Sequence, residues 1–184
     1  MKTKILSVFP ACGKTWMFKC QDVYNLKILD SDSSKYSWID VDGKRERNPD
    51  FPANYIKHIK ENIGKYDYIF VSSHKAVRDA LDKEGIDYII VYPAYQNKAE
   101  WVGRCYIREL KGESGCKPDV LYNHWEEWVD DCRKCGETHE EIVLYSDEHL
   151  GEVFWFDDIT EWNRNKTYVQ KEVRERQEVE NNGW

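Results

Sequence analysis

No run of apolar residues in this chain approaches the roughly 20 that a membrane-spanning helix needs, so no such helix is expected. An excess of basic residues is also missing. Lys and Arg total 27 against 34 Asp and Glu, a formal net charge of -7, and there is no basic stripe. A general attraction to nucleic acid or to an anionic membrane is therefore not expected. The opening "MKTKILSVFPACGKTW" starts like a secretion signal, but its short apolar run leads into Gly-Lys-Thr rather than a small-residue cleavage site. It reads as the first strand of a cytoplasmic protein. Cysteines stand at 12, 20, 105, 116, 132 and 135, an even number, yet a chain of this size has no need of disulfides. Cys132 and Cys135 form a Cys-x-x-Cys, two ligands short of a zinc site. Cys105, Cys116 or His139 would have to complete it, and ordinary thiols at a helix end are the alternative. Internal repeats and low-complexity tracts are absent, and 184 residues suffice for one domain with a sizeable core.

What is present alternates between short apolar runs and helical periodicity. "KILSVFP" (4–10), "NLKILDSD" (25–32), "YDYIFVSS" (66–73), "DYIIVYP" (87–93) and "EEIVLYS" (140–146) read as strands. Helices are expected over 13–21, 53–65, 74–85, 98–110 and 119–135, with another beginning in "DEHLGEVFWF". In the 53–65 helix, Tyr55, Ile56, Ile59 and Ile63 share a face. The stretch 33–52 reads as a polar loop, and "KGESGCKP" separates the two late helices. Strands that are continuous Ile/Val/Leu/Phe runs, separated by helices, argue for an α/β fold with a parallel sheet covered on both faces. Trp125 and Trp128 are expected in the core. The last stretch, 161–184, carries many charges of both signs and reads as a solvated helix or tail.

Gly13, Lys14 and Thr15 end the loop after the first strand and open the first helix. The phosphate-binding pattern is Gly, four residues, then Gly-Lys-Ser/Thr. Val8 stands where the first glycine would fall, and a β-branched residue suits positive φ poorly. The position still favours phosphate, because a helix start offers free N–H groups and the positive end of a dipole. Lys14 would reach the outer phosphates and Thr15 would place its hydroxyl on Mg²⁺. Ala11, Cys12, Gly13, Lys14, Thr15 and Trp16 are the residues expected to hold nucleotide. The alternative is a helix start with an incidental lysine.

Four further motifs accompany this loop: "DSDSSKYSW" (30–38), "NPDFPANYI" (48–56), "FVSSHKAVRDAL" (70–81) and the Trp-rich "HWEEWVDD" (124–131). Together with "VFPACGKT" (8–15) they resemble small P-loop kinases of the nucleoside and nucleotide monophosphate kinase type. They are similar in particular to a group of kinase-like proteins from bacteriophages, over roughly residues 4 to 154. The resemblance implies a three-layer P-loop fold with a five-stranded parallel sheet ordered 2-3-1-4-5. It implies one kinase-like domain over 1–160 with a lid around 97–118, in the cytoplasm (the host's, if phage-encoded). The activity it implies is ATP- and Mg²⁺-dependent phosphoryl transfer to a small acceptor, a nucleoside monophosphate or modified nucleotide. A scaffold that binds a nucleotide or a host protein without turnover is the alternative, and a nucleic-acid end kinase is disfavoured by the net acidity.

The acceptor side is expected at the strand ends, where α/β sheets bind ligands. Asp30 and Asp32 resemble the acid pair of shikimate kinase and its relatives, one carboxylate serving Mg²⁺ or acting as base and the other holding the acceptor. A solvated turn with an Asp/Ser cap is the other reading. Ser33, Trp38, Ser72, Ser73 and His74 are further acceptor candidates, although Ser73 is also a sensible helix cap. No acid stands at the end of the third strand, where P-loop proteins commonly carry one. Arg104 and Arg108, four apart on one helix face, fit the arginines of a kinase lid that neutralise the transferring phosphoryl group. Salt bridges to Glu100 or Glu109 are the alternative. Arg45 and Arg47 could pair with an acceptor phosphate or belong to a charged, solvated loop.

Overall fold

A strand that is apolar at consecutive positions must be covered on both faces, and five segments of this chain are. The computed structural model describes residues 2–113, 115–146 and 148–153. Its main sheet consists of β1 (Lys4–Val8), β2 (Ile28–Asp30), β5 (Tyr68–Ser72), β6 (Ile89–Pro93) and β7 (Glu141–Leu144). All pairings in it are parallel, in the order β2-β5-β1-β6-β7. Counted among themselves, the five run second, third, first, fourth, fifth.

The two-residue period of a strand divides the core. Leu6 and Val8 of β1 join Phe70, Ile28, Ile142 and Leu144 in one cluster, whereas Ile5 joins Ile69 and Val71 in the other. The second cluster is covered by Tyr55, Ile56 and Ile59 of α3 (Ala53–Asn62) and by Val77 and Leu81 of α4 (Lys75–Lys83). Ile63, expected on the same face, falls at the end of α3 and is 43% exposed. The first cluster takes Met17 from α1 (Lys14–Lys19) and Trp101 and Cys105 from α5 (Lys98–Leu110). It also takes Leu121, Trp125 and Val129 from α6 (Pro118–Gly136). From α4, Arg78 pairs with Asp131 of α6. Trp125 is fully buried, its indole N–H donating to the Tyr95 carbonyl oxygen at 3.0 Å. Trp128 is only half-buried and stacks on His124. Among the described residues no helix is long and apolar enough to cross a membrane.

The expected polar loop at 33–52 is structured instead. A short helix α2 (Ser34–Ser37) leads into an antiparallel hairpin, β3 (Trp38–Val41) and β4 (Lys44–Arg47). Its turn is Asp42-Gly43, both at positive φ (53° and 77°), the arrangement that lets a two-residue turn follow the strand twist. The Asp-Gly signal stands in the sequence, but the flanking charges conceal the strands. The region expected to act as a lid, 97–118, is rooted in the core by the fully buried Trp101 and Cys105. What lies outside the core is the end of α5, with Tyr106, Ile107 and Leu110 exposed. The expected tail at 161–184, and whatever of the expected closing helix follows α7 (Leu150–Val153), lie outside the described residues.

Candidate functional site

The loop between β1 and α1 is set by two residues with positive φ, Ala11 at 61° and Gly13 at 96°. Val8 is not one of them. It ends β1 in register with Ser72 and Val91 and is fully buried, so its branched side chain sits where such side chains fit best. The concern about Val8 in the loop is thereby corrected: the strained position is Ala11. A left-handed alanine costs about 1 kcal/mol that glycine does not. Ala11→Gly is therefore expected to raise the melting temperature by about 2–4 °C, and a fall in thermal unfolding would show that the Ala11 methyl makes a needed contact. The helix that follows has six residues rather than the expected nine of 13–21, so its dipole is a minor contributor.

The chemistry lies in side chains brought to the loop. The Lys14 ammonium donates to the carbonyl oxygen of Val8 at 3.0 Å. Burial lowers its pKa, against the attraction of Asp30 and Asp32. Thr15 donates its hydroxyl to Oδ2 of Asp30 at 3.1 Å, joining α1 to the end of β2. Hydroxyl and carboxylate are hard oxygen donors, and Mg²⁺ in nucleotide sites takes only one or two protein carboxylates besides phosphate oxygens. The pair therefore fits that cation.

Asp32 does not share the pairing with Thr15. Its carboxylate accepts from the Ser34 N–H (2.9 Å) and hydroxyl (2.8 Å), bracing the turn that leads into α2. Ser33 is the backbone N-cap of α2, without a side-chain bond. The motif "NPDFPANYI" turns out to be the clamp that holds this segment in place. Asn48 and Asn54 both donate to the Tyr36 carbonyl oxygen at 2.9 Å, and the buried Tyr55 hydroxyl donates to that of Ser31 at 2.6 Å. Two buried polar atoms of the clamp, Ser31 Oγ and Asn54 Oδ1, have no hydrogen-bond partner.

Ser72 accepts at its carbonyl from the Ser7 hydroxyl, and its own hydroxyl accepts from the His74 N–H, both at 3.4 Å. The cap of α4 is His74 rather than Ser73, whose carbonyl oxygen accepts from Arg78 at 3.0 Å. Burial, then the charges of Arg47, Lys14 and Arg78, lower the His74 pKa, so its ring is neutral near neutral pH. Trp38, the expected stacking platform, already carries two guanidinium groups: Arg45 at 4.9 Å and Arg47 at 4.1 Å from its ring centre.

Arg104 and Arg108 part company. Arg104 pairs with Glu100, donates to the Glu148 carbonyl oxygen at 3.0 Å and lies over Trp101 at 3.8 Å. It straps α5 to the segment after β7, where the Leu150 N–H donates to the Cys12 carbonyl oxygen at 2.8 Å. His149 and Leu150, which no sequence signal singled out, thus close one side of the loop. Arg108, one turn further on, faces Glu113 at 3.6 Å, and its charge also reaches Lys14. Trp16 is half exposed and lies against Gly151, where a Cβ would run into its ring. Burial raises the Cys12 thiol to about 11, which leaves it protonated.

Cys105, in the middle of α5, has its thiol pKa held down by Cys116, which stands just before α6. Cys132 is buried in α6, and Cys135 meets the Tyr88 hydroxyl at 3.2 Å and His139 at 3.7 Å. Among the described residues no three His, Cys, Asp or Glu side chains are grouped to hold a metal, so the two cysteine pairs do not form one site. An open cleft of about 510 Å³ between Tyr106, Glu109, Lys117, Pro118 and Asp119 is lined by none of the candidate residues. Comparison with known protein families finds no family model that matches this chain, and comparison with curated proteins finds no match.

Proposed function

We propose that this protein is a small P-loop kinase, which binds ATP with Mg²⁺ at Lys14, Thr15 and Asp30 and passes the terminal phosphoryl group to a nucleotide acceptor. The observation that carries the reading is the inward-turned ammonium of Lys14 beside the Thr15–Asp30 pair, at the carboxyl ends of β1 and β2. A half-sheltered cation with one neutral hydrogen-bond partner is poised for an anion. Phosphoryl transfer needs positioning and charge neutralisation more than covalent chemistry. Lys14 would neutralise the outer phosphates, Thr15 and Asp30 would hold the cation, and Arg108, whose charge is felt at Lys14, would add to the positive field there. The cation, when bound, offsets the charge of the phosphate oxygens. An acceptor oxygen attacks the terminal phosphorus as its bond to the bridging oxygen breaks, and ADP leaves with that electron pair.

A binding protein without turnover is the second reading. It is favoured by the end of β5, where Ser72, Ser73 and His74 supply no carboxylate. The two separate in an assay of ADP release from ATP and Mg²⁺ with the nucleoside monophosphates offered one at a time. The kinase reading expects ADP only with acceptor present. Bound ATP with no ADP from any acceptor gives the second reading.

A further inference from the structure

We infer that the β3–β4 hairpin is an anion clamp for the acceptor, in which Arg45 and Arg47 grip the phosphate of a mononucleotide beside the ring of Trp38. The inference rests on the phosphoryl-transfer reading above and names the residues that would choose its substrate. Arginine is the residue of planar, forked recognition of phosphate.

The arginines of this chain divide clearly. Arg78, Arg104, Arg108 and Arg133 each face a carboxylate: Asp131, Glu100, Glu113 and Asp130 respectively. Arg45 and Arg47 are the described arginines that form no ion pair, in a chain with more acids than bases. Their nearest cross-strand acid, Asp40, is opposite Arg45 but turns its Oδ1 to the Gly43 N–H at 2.9 Å. Two like charges two residues apart on one face of a strand repel each other. Both are nonetheless laid over one indole, at 4.9 and 4.1 Å, where cation–π attraction holds them without neutralising them. A phosphate monoester carries about two negative charges near neutral pH, enough to balance both guanidinium groups.

The position of the hairpin connects this clamp to the site. β3 begins directly after α2, whose first residue Ser34 donates to Asp32, and the Asn48 N–H at the far end donates to the Ser37 carbonyl oxygen at 3.1 Å. The hairpin is thus rooted at both ends in the segment that carries Asp30. An acceptor held there by its phosphate would bring its base or sugar beside the Trp38 ring, which is only partly buried. A nucleoside without phosphate gives the two guanidinium groups nothing to bind.

The test is calorimetric titration of the full chain with each of the four deoxynucleoside 5′-monophosphates, their parent deoxynucleosides, a single-stranded oligonucleotide, and ATP with Mg²⁺. The wild type is compared with Arg45→Ala/Arg47→Ala and with the charge-conserving Arg47→Lys. At least one monophosphate is expected to bind the wild type about tenfold or more tightly than its nucleoside. The double variant is expected to lose that preference, and Arg47→Lys to lose part of it. Both variants should keep their melting temperature and their affinity for ATP, because the hairpin is exposed and outside the β1–α1 loop. The inference is overturned if no monophosphate binds, if nucleoside and monophosphate bind alike, or if the double variant binds as the wild type does. An oligonucleotide that binds more tightly than every mononucleotide also overturns it. Monophosphate held by Arg45 and Arg47 with no ATP binding to the wild type keeps the clamp and overturns the kinase reading instead.

Discussion

Replacing Lys14 with Met is expected to weaken ATP binding by about 10²-fold or more and to leave the melting temperature at or above that of the wild type. The first effect follows from the loss of charge-assisted hydrogen bonds to phosphate, each worth about 1.5–3 kcal/mol. The second follows from where the ammonium sits. Its one hydrogen-bond partner is the neutral Val8 carbonyl, and burial outweighs the pull of Asp30 and Asp32, so its pKa lies below the ordinary lysine value. The sign is then fixed. A lysine whose pKa falls on folding binds its proton more tightly in the unfolded chain, so the charge costs stability below the folded pKa. That cost fades as pH rises towards the ordinary lysine range. Methionine keeps the apolar stem and removes the charge. Any gain in melting temperature should therefore be present at neutral pH and shrink in alkali. Unchanged ATP affinity by calorimetry would remove the nucleotide assignment, and a clear fall in melting temperature would make Lys14 a structural residue.

Asp30→Asn is expected to lower turnover by about 10²–10³-fold, the usual cost of removing one group that stabilises developing charge. Asparagine has nearly the same shape, and its carbonyl oxygen can still accept from the Thr15 hydroxyl, so the link from α1 to β2 survives. What disappears is the negative charge that would hold Mg²⁺. Half-maximal turnover should consequently require more Mg²⁺, whereas binding of ATP in the absence of the cation should be unchanged. Asp32→Asn makes the contrast. Asparagine braces such a turn about as well as aspartate, so the bonds from Ser34 persist and the stability change stays within about 1 kcal/mol. Turnover in Asp32→Asn should fall much less than in Asp30→Asn. If Asp30→Asn keeps full turnover and an unaltered Mg²⁺ requirement, Asp30 serves only to receive the Thr15 hydroxyl.

The parts of this protein that were legible in the sequence are those decided by neighbours along the chain. Continuous apolar runs such as "YIFV" and "IIVY" announce buried parallel strands because a half-exposed strand would alternate. Gly13-Lys14-Thr15 announces a turn opening a helix for equally local reasons. Even the hairpin left its mark in Asp42-Gly43, although the strands on either side were too polar to read as strands.

The sequence by itself determined five parallel strands covered on both faces, and a lysine and a threonine at the first strand–helix junction. Tertiary structure alone decided which partners those residues meet. Thr15 finds Asp30 fifteen positions away and not Asp32, because Asp30 is the last residue of β2 while Asp32 lies beyond it and is turned to Ser34. Arg104 is committed to the Glu148 carbonyl, 44 positions away, while Arg108 on the same helix faces Glu113. Val8, suspect as a misplaced loop residue, is a strand residue because its neighbours in the sheet are Ser72 and Val91. Arg45 and Arg47 lie over Trp38 because the register of the hairpin sets Trp38 opposite Arg47 and puts Arg45 two residues away on the same face. Period and local propensity act over a few residues and can be read along the chain. The choice of partner for a charged side chain depends on burial and on distances between segments remote in sequence, which only the folded chain fixes.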